Sequence, residues 1–187
     1  MKVVFIHGNG GCTAEMHWYP WVAEMLGRHG LEVVLTTLPD NEIAHQAVWL
    51  PFLRNELQAG ADTILIGHSS GAIAAMRFAE QCPIIGSVIV AGYHTDLGMP
   101  DERVGGWFDT PWDWEAIRRH QQWIIQYASV DDPFIPIAEA RYVHEQLQTE
   151  YHEYTDQNHF GGGGKRKTRF PELVNAVLEK CQIQPDR

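Results

Sequence analysis

The sequence predicts an α/β fold, doubly wound around a mostly parallel sheet of about six strands. Two observations predict it: short β-branched runs alternate with amphipathic stretches along the chain, and those runs are apolar almost continuously. Alternating strands and helices place successive strands in parallel. Continuous apolarity is what a strand needs when helices cover both of its faces.

The first run is "KVVFI" at 2–6, followed by an amphipathic stretch at 17–29. "EVVLTT" (32–37), a helical stretch at 43–58, "TILIG" (63–67) and another at 70–81 continue the alternation, as does "GSVIVA" (86–91). Then the rhythm breaks. Residues 93–120 hold Gly98, Pro100, Gly105, Gly106 and Pro111, with Trp107, Trp112 and Trp114 among them. Connections in α/β units usually take about 2–6 residues, so this one reads as a short lid-like insertion. The alternation resumes with "QWIIQYA" (122–128), a helix at 136–148, "EYHEYT" (150–155) and a final helix at 170–181. Neither an internal repeat nor a domain-sized linker interrupts residues 1–187, so one domain is expected.

Composition narrows the function. A formal net charge of −10 argues against a nucleic-acid partner, which needs a basic face. No apolar run approaches the roughly 20 residues of a membrane span, so no membrane partner is expected. Cys12, Cys82 and Cys181 are odd in number and widely spaced, which is no disulfide framework and suits a reducing compartment. The apolar run after Met1 and Lys2 is too short for a signal-peptide core, and a cytoplasmic location is expected.

"GHSSG" (67–71) has the form G-x-S-x-G, with "TILIG" before it and "AIAAMRFAE" after it. That strand–turn–helix setting is what a nucleophile elbow requires, and it favours Ser69 as a nucleophile over Ser69 as a helix cap. The backbone N–H of Ser70, opening a helix, is a natural donor to an oxyanion; its hydroxyl has no assigned role.

A serine needs a base, and the base an orienting acid, in the chain order Ser, Asp or Glu, His. The fifth strand runs into "ASVDDPFIP" (128–136) and the sixth into "TDQNHFG" (155–161). Asp131 and Asp132 compete for the acid role; Asp132 is preferred because D-P-x-[IV]-P is a common acid loop in hydrolases of this fold. Of ten histidines, His7, His68 and His94 are the rivals near strand ends, and of these four only His159 follows the acid strand. "FIHGNGG" (5–11) follows the first strand, and the Asn9 N–H is the second candidate oxyanion donor.

Competing motifs fail on spacing. A dinucleotide fingerprint from Gly8 and Gly10 needs glycine where Thr13 stands. A P-loop in "GGGGKRKT" needs glycine in place of His159 and Ser or Thr in place of Arg166. There is no H-E-x-x-H, and neither a metal nor another cofactor is expected.

"GNGG" (8–11), "WLPF" (49–52), "IGHSSGAIAAMR" (66–77), "PWDWE" (111–115), "DDPF" (131–134) and "HF" (159–160) together resemble the small serine hydrolases related to retinoblastoma-binding protein 9. The resemblance runs nearly end to end. It implies a compact α/β-hydrolase fold with a minimal lid, and Ser69, Asp132 and His159 as the triad. The L-x-C-x-E motif behind that family's name is absent, since the matching stretch reads Leu57-Gln58-Ala59-Gly60-Ala61, and a retinoblastoma-type partner is not expected. The expected substrate is a small ester or amide, with an apolar or aromatic acyl group if the tryptophans of the insertion line the pocket. Trp107, Trp112 and Trp114 are candidate pocket-lining residues, with burial beneath the insertion as the alternative. The run from Lys165 to Arg169 reads as a solvated loop rather than an anion-attracting patch. A silent protein-binding module on the same fold is the alternative to an enzyme.

Overall fold

Val3 and Phe5 project to one side of the first strand and Val4 and Ile6 to the other, and all four are buried. The same alternation runs through the next strands: Ile64, Ile66 and Val88 join one core, Leu65 and Ile89 the other. The computed structural model describes residues 1–183. Its strands are β1 (Lys2–Ile6), β2 (Glu32–Val34), β3 (Thr63–His68), β4 (Gly86–Val90), β5 (Trp123–Ser129) and β6 (Glu150–Tyr154). They form one sheet in the order β2-β1-β3-β4-β5-β6, with every pairing parallel.

Helices α1 (Tyr19–Arg28) and α7 (Pro171–Lys180) cover one face, burying Val22, Leu26, Leu173 and Val177. On the other face lie α2 (Gln46–Asn55), α3 (Ser70–Gln81), α5 (Trp114–Arg119) and α6 (Ile137–Leu147), with Trp49, Ile73, Ile117 and Val143 inside. Every residue of α3 from Ser70 to Ala79 is buried. Its small residues, Gly71, Ala72, Ala74, Ala75 and Ala79, let it lie close against the sheet at the molecule's centre.

Two elements depart from expectation. β2 stops at Val34, three residues short, because the chain there turns toward the loop after β1. The Thr37 hydroxyl accepts from Ala14 N–H at 3.0 Å, and Leu38 N–H donates to His7 Nε2 at 2.8 Å. The insertion at 93–120 is partly regular, containing α4 (Pro100–Val104) as well as α5.

Arg77 anchors that insertion. It is 1% exposed, in the middle of α3. Its Nε and Nη2 donate to the Trp107 carbonyl at 2.9 and 2.7 Å, Nη2 also to Thr110 O at 2.7 Å, and Nη1 to Pro111 O at 3.2 Å. Glu80 supplies the counter-charge at 2.9 Å, and the guanidinium lies 3.7 Å from the Trp112 ring centroid. A compact ammonium cannot reproduce this planar fork. Arg77→Lys is therefore expected to destabilise the fold by about 3 kcal/mol, read as a shifted urea midpoint at unchanged slope.

The sheet order reverses direction between β1 and β3. In an open α/β sheet that switch leaves a crevice at the carboxyl ends of the strands, where ligands bind. The loop from Gly8 and the turn at Ser69 leave the sheet there. Among the described residues, no helix is long and apolar enough to cross a membrane.

Candidate active site

β3 ends at His68 and α3 begins at Ser70, leaving one residue to reverse the chain. That residue, Ser69, adopts φ 57° and ψ −123°. For a non-glycine residue this region is strained by about 1–3 kcal/mol, held here by what surrounds it. Ser69 N–H donates to Val90 O at 2.9 Å, while its carbonyl accepts from Ala72 N–H at 2.8 Å. A Cβ on Gly67 would lie 2.3 Å from Gly71 O, and one on Gly71 only 2.0 Å from Ile6 O. Both glycines are thus demanded by backbone approach. The capping alternative for Ser69 is not what forms: its side chain makes no cap hydrogen bond and lines a cavity of about 430 Å³.

His159 lines the same cavity and is 7% exposed. Its Nδ1 lies 2.7 Å from Asp132 Oδ2. An ionised carboxylate only accepts, so Nδ1 carries the proton and Nε2 keeps its lone pair. The other oxygen, Oδ1, accepts from Phe134 N–H at 2.9 Å and Ile135 N–H at 3.1 Å, orienting the carboxylate on its own turn. Asp131 does something else. Its Oδ1 accepts from the Ser129 hydroxyl at 2.5 Å and from Asn158 N–H at 2.8 Å, tying the acid loop to the loop that carries His159. The Ser129 hydroxyl holds the Asp131 carboxyl below its usual range, with the Asn158 N–H adding to it. Among the described residues, no hydrogen bond joins Ser69 Oγ to the His159 ring.

The remaining histidines near strand ends are occupied. His7 Nδ1 lies 2.7 Å from Gly8 O, and Nε2 accepts from Leu38 N–H. His94 stacks on Tyr142 and lies 2.7 Å from Glu139. His68 is buried, and burial pushes its imidazole well below its ordinary value, with the nearby His159 and His17 rings adding to this. A neutral His68 needs one donor and one acceptor. The Tyr19 hydroxyl donates to Nδ1 at 2.6 Å, and Nε2 donates to the His159 carbonyl at 3.0 Å. His68 therefore links the elbow to the backbone of His159, a role invisible in sequence because Tyr19 and His159 are distant along the chain.

Residues 3–173, which contain all of these groups, match the family described as Serine hydrolase. The chain belongs to that family. It is 41% identical over 186 residues to Serine hydrolase RBBP9 of Rattus norvegicus, an alignment covering 98% of this chain and 96% of that protein. The structure is similar to that of the ydeN gene product from B. subtilis, with TM-score 0.85, 22% identity and coverage of 97% and 98%. It is also similar to that of Est1E from Butyrivibrio proteoclasticus with ferulic acid bound, with TM-score 0.72, 14% identity and coverage of 97% and 88%. These structural likenesses place the sheet and helices in the α/β-hydrolase fold.

In this member of the serine hydrolase family the tryptophans do not line the cavity, which corrects the sequence expectation. Trp107 is 1% exposed and donates from Nε1 to Ala44 O at 2.7 Å. Trp112 stacks on Trp114 and donates to His94 O at 2.9 Å. The Trp107 indole thus ties the insertion to the loop before α2, and Trp112, stacked on Trp114, lies under Arg77. Leu97, Met99, Asp101 and Glu102 line the cavity from the insertion instead, facing Met16 and Phe134. The lining carries Glu42, Asp101 and Glu102 but no lysine or arginine among the described residues. Lys165 lies 3.6 Å from Asp156, and Lys167 donates to Gln157 Oε1 at 2.8 Å, both outside the cavity lining.

The glycine run at 161–164 also has a reason that composition concealed. A Cβ on Gly161 would lie 2.5 Å from the His17 ring, and one on Gly162 3.0 Å from His159 Cδ2. The loop curls back against the His159 ring edge, and side chains there would displace it. Asn9 lines the cavity on the β1 side, and Ser70 follows Ser69 at the start of α3, where the first N–H groups lack intrahelical acceptors.

Proposed function

We propose that the chain hydrolyses small, uncharged esters or amides with a compact apolar or aromatic acyl group, through an acyl-enzyme on Ser69. The observation that carries the reading is the His159–Asp132 hydrogen bond of 2.7 Å beside a strained serine on one cavity.

In the first half-reaction Ser69 Oγ bonds to the substrate carbonyl carbon while His159 Nε2 takes its proton. Asp132 holds the Nδ1–H and stabilises the imidazolium as it forms. The carbonyl electron pair moves onto oxygen, between the N–H groups of Asn9 and Ser70. Collapse breaks the bond to the leaving group, which takes the proton from His159. Water then repeats the sequence on the acyl-serine and releases the acid. The Ser69–His159 hydrogen bond forms as substrate docks, as is common where the free enzyme holds these groups apart.

Substrate class follows from the cavity walls. Met16, Ile43, Leu97, Met99, Phe134 and Ile135 supply apolar surface, and the lining carboxylates repel an anionic substrate. A volume of about 430 Å³ suits a small acyl group better than a long lipid chain. The test is labelling with a fluorophosphonate probe, followed by intact mass, alongside turnover of an aryl ester. Wild type is expected to gain one phosphonyl group, and Ser69→Ala to lose both labelling and turnover. Equal labelling of the two proteins would sink the assignment, and a wild type that neither labels nor turns over would favour the silent binding module.

A further inference from the structure

Glu102 lies on the five-residue helix α4 of the insertion, yet it is 8% exposed. A carboxylate so placed must be satisfied by donors. Asn9 Nδ2 donates to Oε1 at 2.9 Å, and the Tyr93 hydroxyl donates to Oε2 at 2.5 Å. Tyr93 is itself buried, and burial, with the adjoining Glu102 charge second, raises its phenol well above the ordinary value; it stays a donor. Its proton is committed to Glu102, so the Ser70 hydroxyl, 3.3 Å away, donates to the Tyr93 oxygen. The chain of donors runs Ser70 to Tyr93 to Glu102, and Asn9 enters Glu102 from the other side.

Both ends of this chain are the residues whose backbone N–H groups hold the oxyanion in the reading above. They come from different elements, Asn9 from the loop after β1 and Ser70 from the first turn of α3, with no other shared side-chain partner among the described residues. An oxyanion hole works only when its donors are held at the transition-state position in advance. We propose that Glu102 is the positioning residue of the oxyanion hole, a single carboxylate from the insertion that sets the spacing between Asn9 and Ser70. The inference rests on the acyl-enzyme reading and adds to it a reason for the insertion: α4 carries the clamp that holds the two elements together.

Glu102→Gln tests it. The carboxamide has the same shape but no charge and one accepting oxygen: with that oxygen on Asn9, its NH₂ meets the Tyr93 oxygen, the Tyr93 and Ser70 hydroxyls must reverse, and both charge-assisted bonds are lost. The expected result is a fall in kcat of roughly 10–100-fold with KM changed little, since the loss is confined to the transition state. Affinity for an aryl trifluoromethyl ketone is expected to fall by the same factor. In that adduct Ser69 Oγ bonds to the ketone carbon, its proton passes to His159 and the carbonyl pair becomes an oxyanion with no leaving group to expel. Tyr93→Phe, which cuts only the Ser70 branch, is expected to act in the same direction, more weakly, and non-additively with Glu102→Gln; it decides the matter if Glu102→Gln does not fold. A KM rise at unchanged kcat, or undiminished ketone affinity in both variants, overturns the assignment of Glu102 alone. Retention of the ketone adduct by Ser69→Ala overturns the acyl-enzyme reading as well.

Discussion

Replacing Asp132 by asparagine is expected to lower turnover of a simple aryl ester on the order of 10⁴-fold, with folding stability changed by only about 1 kcal/mol. The size of the effect follows from which oxygen does what. Oδ1 of Asp132 already accepts two backbone bonds, from Phe134 N–H and Ile135 N–H, and only Oδ2 faces His159. An asparagine there has one carbonyl oxygen, and the turn claims it, because an amide NH₂ cannot accept from two backbone donors. The NH₂ is therefore driven toward Nδ1 and demands a lone pair from it. The ring must then carry its proton on Nε2, the atom that takes the proton from Ser69 in the proposed reaction. Position and shape are preserved while the base is lost, so kcat should collapse with thermal unfolding nearly unchanged. Asp131→Asn is expected to lose far less, since a carbonyl oxygen still accepts from Ser129 and Asn158. If Asp132→Asn lost less than about tenfold, Asp132 would not be orienting the base.

Gly71→Ala is expected to destabilise the fold by about 4 kcal/mol, a large share of the 5–15 kcal/mol by which domains are stable. A Cβ there would stand 2.0 Å from Ile6 O and 2.6 Å from His7 O. Those oxygens belong to β1 and its exit, and β1 is hydrogen-bonded on both sides within the sheet, to β2 and to β3. No flexible side-chain end can swing away, so α3 would have to lift off the sheet and take the elbow with it. Gly27→Ala is the control, because a Cβ there meets nothing within 4 Å and α1 gains a better helix former. It is expected to raise stability by about 0.5–1 kcal/mol. Urea unfolding of the two variants, read at constant slope, separates steric approach from a generic intolerance of alanine. A loss below about 1 kcal/mol for Gly71→Ala would mean that α3 does not lie as close to β1 as described.

What could be read from sequence was whatever is encoded over short stretches. Both sheet faces were legible because continuous apolarity over five or six residues needs cover on both sides. The elbow was legible because a strand, a serine between glycines and a helix follow one another within about 20 residues. The pairing of His159 with Asp132 rather than Asp131 was only preferred; two backbone donors at Phe134 and Ile135 orient one carboxylate, and Ser129 with Asn158 occupies the other. Whether the tryptophans were wall or buried beneath the insertion stayed open, because a tryptophan-rich loop says nothing of which way its side chains turn. That depended on Arg77, 30 residues earlier than Trp107, drawing the carbonyls of the insertion onto α3. Glu102 carried no local signal, since Asn9 lies in the loop after β1 and Tyr93, at the start of the same insertion, meets it only once the intervening chain has folded back. The sequence by itself therefore determined the layers, the strand polarity and the turn at Ser69, all signalled by residue patterns within short stretches of the chain. Only the tertiary structure decided which aspartate meets the imidazole, what lines the cavity and which carboxylate joins Asn9 to Tyr93. Those outcomes depend on hydrogen bonds between segments that the fold brings together and no local pattern announces.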